Sequence, residues 1–568
     1  MAEQRAQAEG PVEGGAPDEA RIEGHGGELA VAVAQAYGVQ AMFTLSGAHV
    51  FPLYDGAVKA QPPLPIVDVR HEATAVFAAE ATAKLTRRPG LAVVTAGPGV
   101  TNAVSAVTTA WFNGAPVVVL GGRAPAYRWG SGALQELDQP PLLAPVTKSA
   151  GTVGSVDQVA DRVGEAFRTA TAPHRGPVFL DVPMDELFSR TTSVVPAVAQ
   201  RVRAVPDPDG LSEVAALLGQ ARRPVLVLGS DVWTDGAEDA AVRLARDLGI
   251  PVVPNGMGRG VLPAGDPLLV PRARGKAFAD ADLVVVVGTP LDFRLGYGTF
   301  GGIDGAQPAK VVHLADSAGQ LATHAALAAS AAGDLTAVLD GVRTEWEQLV
   351  RRPSYEDWAA QLRDVAAAAA ARDAELLASP ADPVHPARIY GELLPRLAED
   401  AVLIGDGGDF VSFAGRFAEP AQPGGWLDPG PYGCLGTGAG YAIAARMARP
   451  SAQVVLLLGD GAAGFSLMDV DTLVRHRLPV VMVVGNNGVW GLEKHPMQFL
   501  YGYDVAAELR QDTSYDGVVR ALGGAGETVT SPDQIGPALD RAFAADVPYL
   551  VNVHTDPKVA YPRTTTGV

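Results

Sequence analysis

What most limits the folds open to this chain is the recurrence of very short apolar runs. Leu91–Thr95, Val117–Leu120, Leu283–Val287 and Val454–Leu458 are rich in valine and leucine and are bounded by glycine, proline or polar residues. Such runs fall far short of the ~20 residues a membrane span requires. Their length and composition fit strands buried on both faces. Between them lie alanine-rich stretches long enough for helices, notably Glu72–Leu85 and Thr101–Phe112. Strands alternating with helices build parallel sheets covered on both sides. A chain of 568 residues divides, at roughly 150 residues per domain, into three or four such units.

Three blocks emerge. The first, 24–190, has candidate strands Ala41–Leu45, Ile66–Val69, Leu91–Thr95, Val117–Leu120 and Val178–Leu180. A linker containing Arg201 and Pro206–Asp209 leads to a second block, 200–365, with Pro224–Leu228, Leu283–Val287 and Val311–Leu314. The alanine-rich helix Ala366–Leu377 and the breaker run Ser379–Pro386 precede a third, 385–568, whose strands are Ala401–Ile404, Gln453–Leu458, Pro479–Val484 and Tyr549–Val553. The expected fold is α/β: three doubly wound domains with parallel sheets, the first and third being candidate repeats of one architecture.

Charge and cysteine usage exclude several functions. Lysine and arginine total 44 against 63 acids, a net charge of −19, which disfavours a nucleic-acid or anionic-membrane surface. Cys434 stands alone, so neither an internal disulfide nor a thiolate metal cluster is available. Residues 1–23 carry six acids and two arginines without an apolar core; they read as a loose tail, not a signal peptide. A cytoplasmic location is expected.

Four short stretches carry candidate chemistry. The apolar strand ending in Gly459-Asp460-Gly461 places an acid among small residues, where a diphosphate could approach backbone N–H groups. Capping the next helix is the competing role for Asp460. The following strand ends in Asn486-Asn487-Gly488, so Asp460 and Asn487 could converge on one Mg²⁺ ion, which favours hard oxygen ligands; Asn–Gly is also an ordinary turn. Glu72, in Val69–Ala73, suits the first turn of a helix. In Phe43–His49 a strand gives way to small residues and presents an imidazole, able to relay a proton or to cap.

Gly459-Asp460-Gly461 followed by Asn486-Asn487 resembles the thiamine-diphosphate enzyme signature. The order of the other motifs is similar to the acetolactate synthase-like group, which includes benzaldehyde lyase, oxalyl-CoA decarboxylase and 2-hydroxyacyl-CoA lyases, and the similarity runs from Gly24 to Arg563. The resemblance implies that Asp460, Asn487 and the Val489 carbonyl hold Mg²⁺. It implies that Gly459, Gly461, Ala462, Val489 and Trp490, with Gly407, Gly408, Asp409 and Phe410, surround thiamine diphosphate. Leu435 would be the wedge that bends the cofactor and the Gly433 carbonyl a partner of its aminopyrimidine, with Cys434 packing beside them. On the first domain, the Thr95–Gly99 turn with Pro98 and Asn102 would receive the pyrimidine. Glu72 would promote loss of the thiazolium proton, and His49 and Gln135 would face the reacting oxygen. Trp111, Phe112 and Trp129 are candidate pocket walls.

The same resemblance implies a cofactor bridging the first domain of one subunit and the third of its partner. That means an obligate homodimer, commonly a homotetramer. The central domain is expected to bind CoA or ADP, or FAD, or nothing; Asn255–Gly260, Leu291–Tyr297 and the basic Arg272, Arg274 and Lys276 are its candidate contacts. Trp490–Met497 would line the substrate channel and Asp556–Arg563 would fold over it. The leading expectation is a 2-hydroxyacyl-CoA lyase that yields an aldehyde and formyl-CoA, reversible as acyloin condensation. The alternative is an acetolactate synthase or benzaldehyde lyase-like carboligase or decarboxylase acting on 2-oxoacids or free acyloins.

Overall fold

Valine- and leucine-rich runs lie at the centre of three parallel sheets in the computed structural model, which describes residues 21–198, 203–302 and 307–562. Arg201 of the expected linker and Arg563 of the expected tail lie outside the described residues. In the first sheet the strands run, in space, Ile66–Asp68, Met42–Thr44, Gly90–Val94, Val117–Arg123, Val178–Pro183 and Ser149–Thr152. The third runs Trp426–Leu427, Val402–Asp406, Val454–Gly459, Val481–Asn486, Tyr549–His554 and Ala525–Val529. Numbered along the chain within each sheet, both follow the order 2-1-3-4-6-5, as expected for repeats of one architecture. The central sheet, Val252–Pro254, Pro224–Leu228, Leu283–Val287, Lys310–Ala315 and Ala329–Ala332, follows 2-1-3-4-5. All three are the doubly wound α/β sheets foreseen, with a crevice beyond the strand ends where the order reverses.

The central strands match the sequence reading to within three residues at either end, because burial on both faces makes them largely apolar. Of the edge strands, Ile66–Asp68 was foreseen and others were missed. Ser149–Thr152 and Ala525–Val529 mix small, polar and apolar residues, and Trp426–Leu427 has only two residues. Arg21–His25 pairs antiparallel with Arg190–Val194, so residues 21–23 are strand and the expected loose tail does not extend to Glu23. One helix spans Pro98–Phe112, with proline in its first turn, where the missing N–H costs nothing. The alanine-rich helix begins at Glu356 and runs to Leu377, earlier than its alanine content alone suggests.

Helices Glu72–Thr86 and Gly438–Ala448 each follow the second strand of their own sheet, and they pack against each other. Gly440 makes the approach possible: a Cβ there would lie 2.7 Å from Phe77 Cβ and 2.9 Å from the Thr74 carbonyl. Phe77 meets Tyr441 edge-on at 6.3 Å. One hydrophobic core, including Val76, Phe77, Val94, Ile404, Tyr441 and Leu456, therefore runs through the first and third domains. Beside it the Arg475 guanidinium grips both Asp68 oxygens at 2.7 Å.

The central domain is tied to both neighbours. Arg259 donates to Glu419 at 2.9 Å and to the Gly415 carbonyl at 2.8 Å. Arg175 donates to Asp235 at 2.5 Å, and His174 Nδ1 sits 2.9 Å from Asp316. Among the described residues no helix is long and apolar enough to cross a membrane.

Candidate active site

The strand Val454–Gly459 delivers Asp460 to the start of helix Asp460–Ser466. The side chain is buried, its oxygens accepting the Gly488 N–H at 2.6 Å and the Gly461 N–H at 2.9 Å. Burial pushes this carboxyl up to about 6, against the pull of those backbone hydrogen bonds. The adjacent strand, Val481–Asn486, delivers Asn487, whose Oδ1 accepts the Val489 N–H at 3.1 Å. A cavity of about 270 Å³ opens between these loops. All thirteen residues expected on the third domain line it: Gly407, Gly408, Asp409, Phe410, Gly433, Leu435, Gly459, Asp460, Gly461, Ala462, Asn487, Val489 and Trp490.

Small residues and close packing shape the cavity. A Cβ on Gly461 would collide with the Trp490 ring, and one on Gly408 would lie 2.5 Å from Leu492. Gly433 has a left-handed φ of 67° with open space beside it. Asp406, wholly buried, accepts the Gly436 N–H at 3.0 Å and the Gly438 N–H at 2.8 Å and so fixes the segment that carries Leu435. Burial lifts its carboxyl to about 7. The Cys434 thiol, also raised by burial, donates to the Leu435 carbonyl at 3.5 Å, in keeping with a packing role. Near the chain end, the Tyr561 N–H donates to Asp409 at 2.9 Å, so the tail reaches the cavity wall.

A second constellation lies on the first domain. Glu72, buried, opens helix Glu72–Thr86 behind His71, whose ring accepts the Ala73 N–H. Asn102, on helix Pro98–Phe112, donates to Glu72 Oε2 at 3.0 Å. Gly97, at φ 61°, turns the chain before Pro98, and a Cβ there would press on Gln135 at 2.9 Å. His49 is buried beside Gly122, with Nδ1 3.1 Å from Thr95 Oγ1. Burial holds its pKa below the ordinary histidine range, opposed by a hydrogen bond with the Leu134 backbone.

Three residues support these constellations, and one of them, Gln139, lies outside every stretch singled out in the sequence. Gln139 is buried, accepts the Gly97 N–H at 2.7 Å, and donates to the Gly122 carbonyl and Asp181. Thr95 orients His49, and Asp406 anchors the Leu435 segment. Thr95 belongs to the Thr95–Gly99 turn expected at the pyrimidine and Asp406 to the Gly405–Phe410 segment expected around the diphosphate, but the partner each one holds was not foreseen.

Other expectations are redirected. Trp111 and Phe112 line a different cavity at the junction of the three domains, Phe112 stacked on Tyr432 at 5.3 Å. Trp129 lies under the Arg123 guanidinium. The basic trio forms no cluster open to phosphates: Arg272 binds Asp373, Arg274 the Arg294 carbonyl, and Lys276 Asp280. Two other groupings of metal-capable side chains, His25–Glu28–Asp55 and His174–Asp231–Asp316, share no residue with the cavity around Asp460. That cavity is lined by the third domain alone within one chain.

The donor set of Asp460 and Asn487 oxygens is hard and suits Mg²⁺. Backbone at Gly459, beside which a Cβ would meet nothing within 4 Å, suits a diphosphate at a helix start. Comparison with known proteins agrees. Three family models match: the N-terminal TPP-binding domain of thiamine pyrophosphate enzymes over 24–142, the central domain over 211–342, and the C-terminal TPP-binding domain over 406–553. A probable acetolactate synthase of Mycobacterium bovis and the acetolactate synthase large subunit IlvG of Mycobacterium tuberculosis are each 48% identical over 545 residues, covering 95% of this chain and 97% of each relative. 2-Hydroxyacyl-CoA lyase 2 of Caenorhabditis elegans is 33% identical over 575 residues, 92% of this chain and 87% of that protein. The chain belongs to the thiamine pyrophosphate enzymes, in the branch that holds the acetolactate synthases and the 2-hydroxyacyl-CoA lyases.

Proposed function

We propose that this carbon–carbon bond-processing enzyme is a carboligase of the acetolactate synthase kind, using a free 2-oxoacid as donor. The observation that carries the reading is the 48% identity to two acetolactate synthase relatives over 95% of the chain, against 33% to the lyase. The order of expectations drawn from the sequence alone, with the CoA lyase first, is thereby reversed.

The two constellations divide the work. Asp460, Asn487 and the Val489 carbonyl would hold Mg²⁺, and the glycine backbone of the third domain would seat the diphosphate. When bound, thiamine diphosphate supplies the carbanion centre and the electron sink that the protein lacks. Glu72, held by Asn102, would exchange a proton with the pyrimidine. His49, whose charged form burial disfavours and which is steadied by Thr95, would take or give a proton at the substrate oxygen, with Gln135 beside it. These groups lie on different domains, and we infer that a site is completed by the first domain of a partner subunit in a homodimer.

A second reading has its own observation. The junction cavity, about 480 Å³, has Lys84, Lys148, Arg175 and Arg294 in its wall beside Asp231, Asp292 and Asp428. Each cation is already bonded within the protein, Lys84 to Glu80, Lys148 to the Ala172 and His174 carbonyls, Arg175 to Asp235 and Arg294 to Asp292, so a diphosphate, as in CoA or FAD, would bind there by displacing these partners; CoA would favour the 2-hydroxyacyl-CoA lyase.

One comparison decides. With Mg²⁺ and thiamine diphosphate, two pyruvates should give one acetolactate and one carbon dioxide, and a panel of 2-hydroxyacyl-CoAs should release little aldehyde. Aldehyde and formyl-CoA from the panel, with no acetolactate from pyruvate, would overturn the carboligase reading.

A further inference from the structure

We propose that Asp469 is a positioning residue for Glu72, acting from the third domain of the same chain. This deepens the functional reading above and rests on the role assigned there to Glu72.

Asp469 closes the short turn Leu467–Asp469 that follows helix Asp460–Ser466. Its carboxylate is 1% exposed. One oxygen accepts the Arg70 N–H at 2.7 Å and the Thr472 hydroxyl at 3.2 Å; the other accepts the Thr74 hydroxyl at 2.6 Å. Arg70 and Thr74 flank Glu72 by two residues on either side. The carboxylate thus grips the segment that leads into Glu72 and the first turn of its helix. Around it, Arg475 donates to the Asp68 carbonyl at 3.0 Å and to the Asp68 carboxylate, and the single Thr472 hydroxyl hydrogen is shared between Asp469 and the Asp68 carbonyl, each 3.2 Å away.

Without this clamp the Arg70 N–H would lose its acceptor and the first turn of the helix its tether. Glu72 would keep its chemistry but not its place, and misplacement by ~1 Å can cost about 10²-fold in rate. Asp469 also stands nine positions after Asp460, so one rigid stretch carries both the metal-binding acid and the support for Glu72.

The test compares Asp469→Ala, Asp469→Asn, Thr74→Val and Glu72→Gln. It reads amide hydrogen exchange across 68–76 in the cofactor-free protein, Mg²⁺–thiamine diphosphate affinity, and exchange of the thiazolium C2 proton. Asp469→Ala should deprotect 68–76 and slow C2 exchange about 10²-fold, with affinity within about threefold, since the residues that seat the diphosphate are untouched. Asp469→Asn keeps an acceptor for Arg70 and should recover most of the rate. Thr74→Val removes only one bond and reads the same effect, more weakly, where Asp469→Ala does not fold. Wild-type C2 exchange in both Asp469→Ala and Thr74→Val, with Glu72→Gln inactive, overturns the positioning role and leaves a structural clasp. Wild-type C2 exchange in Glu72→Gln instead removes the reading of Glu72 and the inference with it.

Discussion

The Asp406 carboxylate is buried and met by two backbone N–H groups, which makes it a sensitive reporter of the cavity loop. Folded, it holds its proton up to about 7, whereas the ordinary carboxyl value is 3.8. Between those values the folded state binds more protons than the unfolded state. Its contribution to stability is therefore complete below about pH 4 and is lost as pH rises towards 7. Asp406→Asn should remove that decline; denaturant midpoints near pH 4.5 and pH 8 measure it, and an unchanged slope counts against the assignment. His49→Ala should lower turnover by about 10²–10⁴-fold while leaving cofactor affinity within a fewfold. Steady-state kinetics alongside a cofactor titration separates the two. Asp460, Asn487, Glu72 and His49 were singled out by their places at strand ends together with the family resemblance, since residue type alone left a capping or turn role open for each. Gln139, Asp469 and the contact of Thr95 with His49 were not legible, because their importance comes from burial and from partners distant in the chain.

At the level of elements, contact between helices Glu72–Thr86 and Gly438–Ala448 depends on a missing side chain. Gly440→Ala would press a methyl against Phe77 and the Thr74 carbonyl, and overpacking of this kind costs about 1–3 kcal/mol. Urea denaturation should show that loss, whereas Gly275→Ala, a helical glycine with nothing near its Cβ, should show none. Strands were readable where apolar residues fill both faces; at the edges, where one flank is open, Ile66–Asp68 was readable but Ser149–Thr152 and Ala525–Val529 were not. The loop Asn255–Gly260 shows the limit of motif reading. Its glycines suggest a nucleotide cradle, yet a Cβ on Gly258 would run into the Leu228 carbonyl, and Arg259 reaches across to the third domain. In this chain the loop joins domains.

For the whole molecule, the decisive question is which chain supplies which half of a site. Glu72→Gln and Asp460→Ala should each be nearly inactive alone. If the halves come from different subunits, a mixed dimer holds one doubly damaged site and one intact site. Random reassociation of equal amounts should then restore about a quarter of wild-type activity. No recovery, with mixed dimers demonstrated by mass spectrometry, would show that each chain builds its own site. The three-domain plan was legible because strand and helix alternate throughout; the way domains meet was not, since it rests on single contacts such as Gly440 and Arg259.

The shared strand order of the outer domains has a consequence for ancestry. Each places a turn after its third strand: Gly97-Pro98 in one, Gly459-Asp460-Gly461 in the other. The helices that touch, Glu72–Thr86 and Gly438–Ala448, also occupy matching stations. A single chain thus carries the same strand order twice, its copies touching through helices at matching stations, one copy lacking the carboxylate where the other has Asp460. Duplication followed by loss of half the duties in each copy would yield a catalyst in which neither descendant can work alone.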